Sequence, residues 1–291
     1  MQLHISTTAF AADVLTPEGA PAAAGHPALE LSGGRHRDPA VLDAALERLA
    51  AQGATDILVH NYFPPPSAPF VLNFATADAA LFDRCLQLAR AALALCARLG
   101  APYYSFHPGY RRDGRELPDG HFAFAGPPRS MEDALARFHA NFPALDALAQ
   151  AAGVGLAVEN LFPTRAEVTS LANTLAEMEA LLAPLPARTG LLLDLGHLAV
   201  SANILGFDRR EYLDAFLSRH GRRLFEVHLS ANGGETDDHL PLVAGDWQLG
   251  VLPRLRGLPG ADGRGVRVTL ESRRLPPETL RETTQLITSH C

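Results

Sequence analysis

The sequence predicts a single (β/α)8 TIM barrel domain over residues 1–291, and three observations support this α/β fold class. Short apolar runs alternate with longer segments of helical periodicity, which is typical of parallel strands joined by crossover helices. The length of 291 residues accommodates eight such units in one domain. No Gly-x-Gly-x-x-Gly motif follows the first run, which argues against an open dinucleotide-binding sheet.

Each predicted strand is a short apolar run that ends in a polar residue or before a loop. The eight strands are Leu3–Ser6, Leu29–Leu31, Ile57–Val59, Tyr103–Phe106, Val154–Val158, Leu191–Leu193, Leu224–Val227 and Val266–Leu270. Most of the segments between them carry apolar residues at helical spacing. The predicted helices cover residues 39–52, 76–99, 130–151, 170–183, 207–219 and 276–288.

Two segments do not fit a full crossover helix. Residues 11–28 contain three Pro and two Gly, so a loop or one short helix is expected there. Residues 109–128 are rich in Gly, Pro and Arg, and loops of that length commonly act as lids or bind substrate.

Composition excludes several kinds of function. The formal net charge of −7 argues against a nucleic-acid partner held by bulk positive charge, although a local Arg cluster remains compatible with it. All 25 basic residues are Arg, and the absence of Lys excludes Schiff-base enzymes and Walker-type NTPases. The remaining mechanisms use carboxylates, imidazoles, hydroxyl groups or a metal.

The cysteines and the apolar segments indicate the compartment. Cys85, Cys96 and Cys291 are too few and too scattered for a disulfide framework, so we expect them to be reduced. The N-terminus lacks a positively charged signal segment, and no stretch approaches about 18 uncharged apolar residues. We therefore expect a cytoplasmic protein with no membrane partner.

Polar residues cluster where the predicted strands end. Each strand from the third to the eighth finishes on a histidine or a carboxylate, and these residues are His60, His107, Glu159, Asp194, His228 and Glu271. One such residue alone is more often a rim histidine or a helix N-cap. Because strand ends of a barrel meet around one pocket, the whole set predicts a metal site.

Three further residues extend this set. His197 follows Asp194 by three positions, and Asp237 and His239 have an Asp-x-His spacing in the loop after the seventh strand. A mixed nitrogen and oxygen donor set suits zinc, manganese, iron or cobalt as the divalent cofactor.

The same motifs resemble the xylose isomerase-like barrel superfamily, which contains sugar isomerases and epimerases together with the endonuclease IV family. The resemblance is strongest at VEN (158–160), LDLGH (193–197), EVHLS (226–230), DDHLP (237–241) and LES (270–272). In the epimerases one divalent ion is held by residues that match Glu159, Asp194, His228 and Glu271. The resemblance implies that Glu159 and Glu271 also form the acid/base pair.

The endonuclease IV branch adds five ligands and holds three zinc ions. The added positions match His60, His107, His197, Asp237 and His239, all of which are occupied in this sequence. The resemblance therefore implies a cofactor of between one and three divalent ions, according to the branch.

We favour a metal-dependent isomerase or epimerase of a small polyhydroxylated substrate such as a sugar or sugar phosphate. Proton transfer by Glu159 and Glu271 would proceed through a metal-stabilised enediolate. His197 would orient a substrate oxygen or share in proton transfer. Asn160, Tyr62 and Arg273 are the expected substrate contacts.

Two other functions compete with this one. A multinuclear zinc phosphodiesterase of the endonuclease IV type is supported by the five added ligands. The absence of Arg from residues 229–235, where the epimerases often place one, leaves the identity of the substrate open. The third is a non-catalytic or redox module on the same scaffold. The expected partners are a small-molecule substrate and a second copy of the chain, because barrels of this superfamily are commonly dimers or tetramers.

Overall fold

The computed structural model describes residues 1–116 and 122–291, and eight parallel strands form a closed barrel in it. The strands along the chain are β1 (Gln2–Ser6), β2 (Ala28–Leu31), β3 (Asp56–His60), β4 (Tyr103–Phe106), β5 (Gly114–Glu116), β6 (Phe122–Phe124), β7 (Gly155–Glu159), β8 (Gly190–Asp194), β9 (Leu224–Leu229) and β10 (Arg267–Leu270). The order around the barrel is β1-β2-β3-β4-β7-β8-β9-β10, and β10 pairs with β1 to close it. The predicted fold class is confirmed.

Helices connect the barrel strands on the outside. They are α1 (Pro39–Ala51), α2 (Ala79–Leu99), α3 (Met131–Ala152), α4 (Leu175–Leu182), α5 (Leu195–Leu205), α6 (Arg209–His220), α7 (Leu252–Leu255) and α8 (Pro277–His290). The first connection, predicted as a loop or one short helix, contains a 3-10 turn at Ala20–Ala23. All eight predicted barrel strands are confirmed, with bounds that shift by two residues at most.

Three features of the fold differ from the prediction. The segment predicted as a helix over 170–183 is helical only at Leu175–Leu182, because the Glu177 carboxylate accepts from the Asn173 backbone N–H (2.8 Å) and fixes a turn before the helix. Helix α5 was not predicted, since it starts directly after β8 and is apolar around most of its surface. The loop predicted over 109–128 contains the antiparallel hairpin β5–β6, and residues 117–121 of it lie outside the described part of the chain.

Side chains alternate along each barrel strand between a face that packs against the helices and a face that points to the barrel axis. Val59, Val158 and Val227 belong to the large apolar core that includes the helices, whereas Leu58 and Leu192 pack with other inward-facing residues. Because side chains two positions apart share a face, the residues two positions after Leu58 and Leu192 also point inward. The strand-end polar residues His60 and Asp194 therefore face the barrel axis.

The structure bears on two expectations from the sequence, the state of the cysteines and the presence of membrane-spanning segments. Cys85, Cys96 and Cys291 are all free thiols, as predicted. Among the residues described, no helix combines the length and apolar character needed to cross a membrane.

A helix cap offers a test of the fold's local energetics. The Asp78 carboxylate accepts hydrogen bonds from the backbone N–H groups of Ala80 (2.8 Å) and Leu81 (3.1 Å), whereas Asp38, which also precedes a helix, makes no such bond. We expect Asp78→Ala to lower the free energy of unfolding by about 1 kcal/mol and Asp38→Ala to lower it by clearly less. Urea titrations of both variants measure the difference, and equal losses would contradict the capping assignment.

Candidate metal centre

The nine predicted ligands converge at the carboxyl end of the barrel. Most of them fall into three overlapping groups in which all ligand atoms lie within 4.8 Å of one another. The groups are His60–His107–Glu159, Glu159–Asp194–His197 and Asp194–His228–Glu271. Most of the nine side chains are buried, and His107 and Asp237 are partly exposed. The shared carboxylates join the groups into one cluster.

Glu159 lies at the centre of this cluster. Its side chain is fully buried at the last residue of β7. Its Oε2 is 3.1 Å from His107 Nε2 and 3.5 Å from His60 Nε2, and its Oε1 is 3.1 Å from His197 Nδ1. Nε2 of both His60 and His107 therefore faces Oε2, whereas Nδ1 of His197 also lies 2.8 Å from the Asn160 carbonyl oxygen, which leaves Nε2 of His197 as its free ligand atom.

The second part of the cluster is built from the next strands. His228 Nδ1 lies 3.1 Å from Glu271 Oε2 and 3.7 Å from Asp194 Oδ2. Asp194 also caps helix α5, since its Oδ1 accepts from the backbone N–H of His197 at 2.6 Å. This hydrogen bond fixes one carboxylate oxygen and leaves the other for the cluster.

The loop after β9 supplies the third part. Asp237 Oδ2 lies 2.6 Å from His239 Nε2 and 3.4 Å from His197 Nε2. The loop is held by a bridge between Ala231 and Leu240 and by a 2.8 Å contact between His239 Nδ1 and the Glu271 carbonyl oxygen. His239 has a φ of 49°, a left-handed conformation that costs backbone energy in a non-glycine residue and is common at functional sites.

The donor set fits divalent cations. Both carboxylate oxygens of Glu159, Oδ2 of Asp194, Nδ1 of His228 and Oε2 of Glu271 are buried and make no hydrogen bond within the described residues. Buried polar atoms are otherwise nearly always paired, because leaving one unpaired costs free energy. These five atoms belong to the groups that approach within ligand distance of one another, so cations at this position would satisfy them together.

The electrostatic environment favours positive charge. Burial lowers the pKa of His60 to about 4, which keeps its imidazole neutral and able to bind a metal. Burial also lowers the pKa of His197, but Asp194 and Asp237 outweigh it and the net shift is well upward. The pKa of Asp194 is raised to about 7, first by burial and also by the neighbouring carboxylate of Glu271. The cluster thus holds excess negative charge that a cation would neutralise.

Glu30 is a buried residue of this centre that the sequence analysis missed. Its Oε2 lies 3.0 Å from His228 Nε2, on the opposite side of the ring from the cluster, and Glu30 is also within ligand distance of His60. Glu226 approaches the same His228 nitrogen at 3.6 Å. A carboxylate that accepts from the far nitrogen of a metal-binding histidine fixes the ring's tautomer and orientation. The only signal in the sequence is a Glu within each of the apolar runs ALEL and FEVHL.

The three predicted substrate contacts have different surroundings. The Asn160 amide is engaged twice with the Asp194 backbone, at 3.0 Å through its nitrogen and at 2.8 Å through its oxygen. The Tyr62 hydroxyl accepts a hydrogen bond from the Leu72 backbone N–H. Arg273 is exposed, and its backbone N–H donates to the His239 carbonyl oxygen at 3.0 Å. Their roles towards a substrate remain predictions.

A family comparison agrees with this architecture. Residues 20–290 match the family model described as xylose isomerase-like TIM barrel. The chain belongs to this family. No curated protein sequence matches it significantly.

Solved structures with the xylose isomerase-like TIM barrel fold resemble the whole chain. A D-tagatose 3-epimerase-like protein has 18% sequence identity and a TM-score of 0.71, with 99% of each chain covered. A Thermus thermophilus protein whose crystals were soaked with ZnCl2 has 21% identity and a TM-score of 0.61, with 99% of each chain covered. Endonuclease IV from Thermus thermophilus has 19% identity and a TM-score of 0.57, with 100% of this chain and 98% of that chain covered. Identities this low establish the shared fold alone.

The position of Glu30 leads to a test on metal binding. We expect Glu30→Gln to lower zinc affinity about 10- to 100-fold, because the amide no longer holds the His228 ring as a carboxylate does. Competition titrations with a zinc-binding dye measure the affinity. Glu47→Gln, at an exposed position of α1, is the matched control. Equal affinities for the two variants, each with an unchanged circular dichroism spectrum, would show that Glu30 does not position His228.

Proposed function

We propose that this chain is a metal-dependent hydrolase of phosphate esters, phosphodiesters foremost, and that it holds more than one divalent cation. One observation carries the proposal: the Glu159 carboxylate lies within 3.5 Å of imidazole nitrogens from His60, His107 and His197. None of these three histidines belongs to the four-ligand set that the resemblance assigns to a single-ion epimerase.

The ligands divide into three sets around the shared carboxylates. His60 and His107 would hold one ion with Glu159. Asp194, His228 and Glu271 would hold a second, also with Glu159. The remaining set would hold a third ion, and its members are His197, Asp237 and His239. When bound, divalent ions in such a cluster supply Lewis-acid polarisation of a phosphoryl oxygen and a nucleophile at neutral pH.

Charge balance supports more than one ion. Metal ligation requires neutral imidazoles and ionised carboxylates, so cation binding would displace the proton that the raised pKa of His197 favours, and Glu159, Asp194, Asp237 and Glu271 would then carry a formal charge of −4. A single divalent cation leaves about −2 of this charge in a largely buried site, whereas about two cations neutralise it. Uncompensated buried charge is costly, so a second ion lowers the free energy of this arrangement.

The surroundings of Glu159 also argue against a role in proton abstraction from carbon. A general base needs an oxygen within about 2.6–3.2 Å of the group that it deprotonates. Both oxygens of Glu159 face imidazole nitrogens instead. In a hydrolase this residue holds cations and has no substrate proton to move.

An isomerase or epimerase of a polyhydroxylated substrate is the second candidate. It is favoured by the placement of Glu159, Asp194, His228 and Glu271 at or next to the ends of the consecutive barrel strands β7 to β10. In that reaction Glu159 and Glu271 would exchange a proton with the substrate carbon. His197 would orient a substrate oxygen.

Metal content separates the two functions. We expect protein purified without chelators or a metal-affinity tag to contain about two to three zinc ions per chain. His107→Ala and Asp237→Asn should each lower the content by about one ion and abolish hydrolysis of bis(p-nitrophenyl) phosphate, because each removes a ligand of one set. His290→Ala, at the end of α8, should change neither quantity.

The alternative outcomes have distinct meanings. About one ion per chain, unaffected by His107→Ala and accompanied by exchange of a sugar carbon-bound proton with heavy water, would replace the hydrolase proposal with the isomerase. A chain with no bound metal and no affinity for zinc or manganese would contradict both functions.

A further inference from the structure

Five aromatic side chains lie on one side of the barrel mouth, and we call them the aromatic wall. They are Tyr62, Tyr110, Phe122, Phe124 and Phe162, and each is partly exposed. Buried rings are ordinary core components, but rings left partly exposed beside a polar centre offer contact surface to a ligand. None of the five belongs to the set of metal ligands described above.

Direct contacts join the wall to the metal centre. The Phe162 ring lies 4.7 Å from the His197 ring, measured between centroids. Tyr110 follows His107 by three residues in the loop after β4. The wall therefore begins at the cluster itself.

The other rings continue from Tyr110 across the hairpin β5–β6. The Tyr110 ring is 5.0 Å from Phe124 and 6.1 Å from Phe122, and Phe122 is 6.3 Å from Tyr62. Tyr62 follows β3, and Phe122 and Phe124 lie on the hairpin. Residues from separate connections thus meet on one side of the mouth.

The backbone around Tyr110 is fixed by a close contact. Gly109 has a φ of 124°, and a Cβ at this position would lie 2.2 Å from the Asn73 side-chain oxygen. That oxygen accepts from the Tyr110 backbone N–H at 2.9 Å and from the Ala75 backbone N–H at 3.0 Å. Only glycine permits this approach, so the position of the Tyr110 backbone is set before any ligand binds.

The base of the hairpin is anchored by arginines. Arg111 donates to the Val168 carbonyl oxygen at 2.9 Å, and Arg112 donates to the Gly126 carbonyl oxygen at 2.6 Å. The Arg112 guanidinium also lies 5.5 Å from the centre of the Phe124 ring. These side chains are therefore engaged in holding the loop, and a wall held in this way loses little entropy when a ligand binds.

The chemistry of the wall selects a class of ligand. Polyhydroxylated groups need hydrogen-bonding partners, but three of the five wall residues are Phe. The Tyr62 hydroxyl accepts from the Leu72 backbone N–H, so part of its hydrogen-bonding capacity is used within the protein. Stacking on ring faces instead favours planar aromatic groups and is tolerant of their identity.

We propose that the aromatic wall binds a planar heteroaromatic group of the substrate, such as a nucleobase, while the metal centre takes the phosphate ester joined to it. The proposal rests on the proposed hydrolase function and names its substrate class as a small nucleotide-like phosphate ester. A long nucleic acid is disfavoured, because the chain has a net charge of −7 and no Lys.

Calorimetric binding to the zinc-loaded full chain tests the wall without requiring turnover. The two probes are adenosine 5′-monophosphate and ribose 5-phosphate, which differ in the nucleobase. We expect the nucleotide to bind about 10-fold or more tightly than the sugar phosphate. Phe122→Leu should weaken nucleotide binding about 10-fold and sugar phosphate binding far less. Phe207→Leu, a partly exposed phenylalanine between α5 and α6, is the matched control and should change neither.

Equal affinity for the two probes would overturn the proposal. So would absence of nucleotide binding, or equal weakening of both probes by Phe122→Leu. Failure of the hydrolase function gives a different result: the nucleotide binds through the wall and Phe122→Leu still weakens it, but no phosphate ester is cleaved.

Discussion

The burial of the Glu159 carboxylate among three imidazoles is the constraint on which the rest of the site depends. A carboxylate with no exposed surface is destabilising unless positive charge or hydrogen bonds compensate it. Its oxygens make no hydrogen bond within the described residues, and His60, His107 and His197 surround it. His60 ends β3, His107 follows β4 and His197 lies in α5, so this single residue brings three parts of the chain to one centre. A cation bound beside Glu159 would satisfy the carboxylate and the histidines at the same time.

The barrel supplies this geometry through the alternation of its strands. The last inward-facing positions of β7, β8 and β9 are Glu159, Asp194 and His228, and the residue pairing sets Asp194 opposite His228. Below them Glu226, two positions before His228, accepts from the Tyr103 hydroxyl at 3.0 Å and also from Thr269. The barrel interior is thus polar near its carboxyl end, in two successive layers. The upper layer contains the candidate metal ligands, and Glu226 in the lower layer lies 3.6 Å from Nε2 of His228.

The sequence was sufficient to place a side chain where its position along a strand determines the direction in which it points. A polar residue at the end of an apolar run must lie at the rim of the barrel, and this placed His60, Glu159 and Asp194 correctly at strand ends. Glu30 was missed because its contact with His228 joins residues 198 positions apart and crosses the barrel interior. Only the closed topology brings these two side chains together.

Other structural features have no signal in the sequence around them from which they could be predicted. Helix α5 follows β8 without a loop, and its buried, mostly apolar sequence lacks the polar face that reveals a surface helix. The hairpin β5–β6 lies in a segment whose Gly and Pro content predicts a loop. The aromatic wall depends on that hairpin, since Phe122 and Phe124 are distant in sequence from Tyr62 and meet it only in the fold.

Anomalous X-ray diffraction at the zinc edge, from crystals grown without chelators, would locate the bound cations and count them. A multinuclear centre predicts separate anomalous peaks at two positions or more. One should lie beside His60, His107 and Glu159, and another beside Asp194, His228 and Glu271. A single peak held by the latter set and Glu159, with the His60 and His107 rings making no metal contact, would contradict a multinuclear centre.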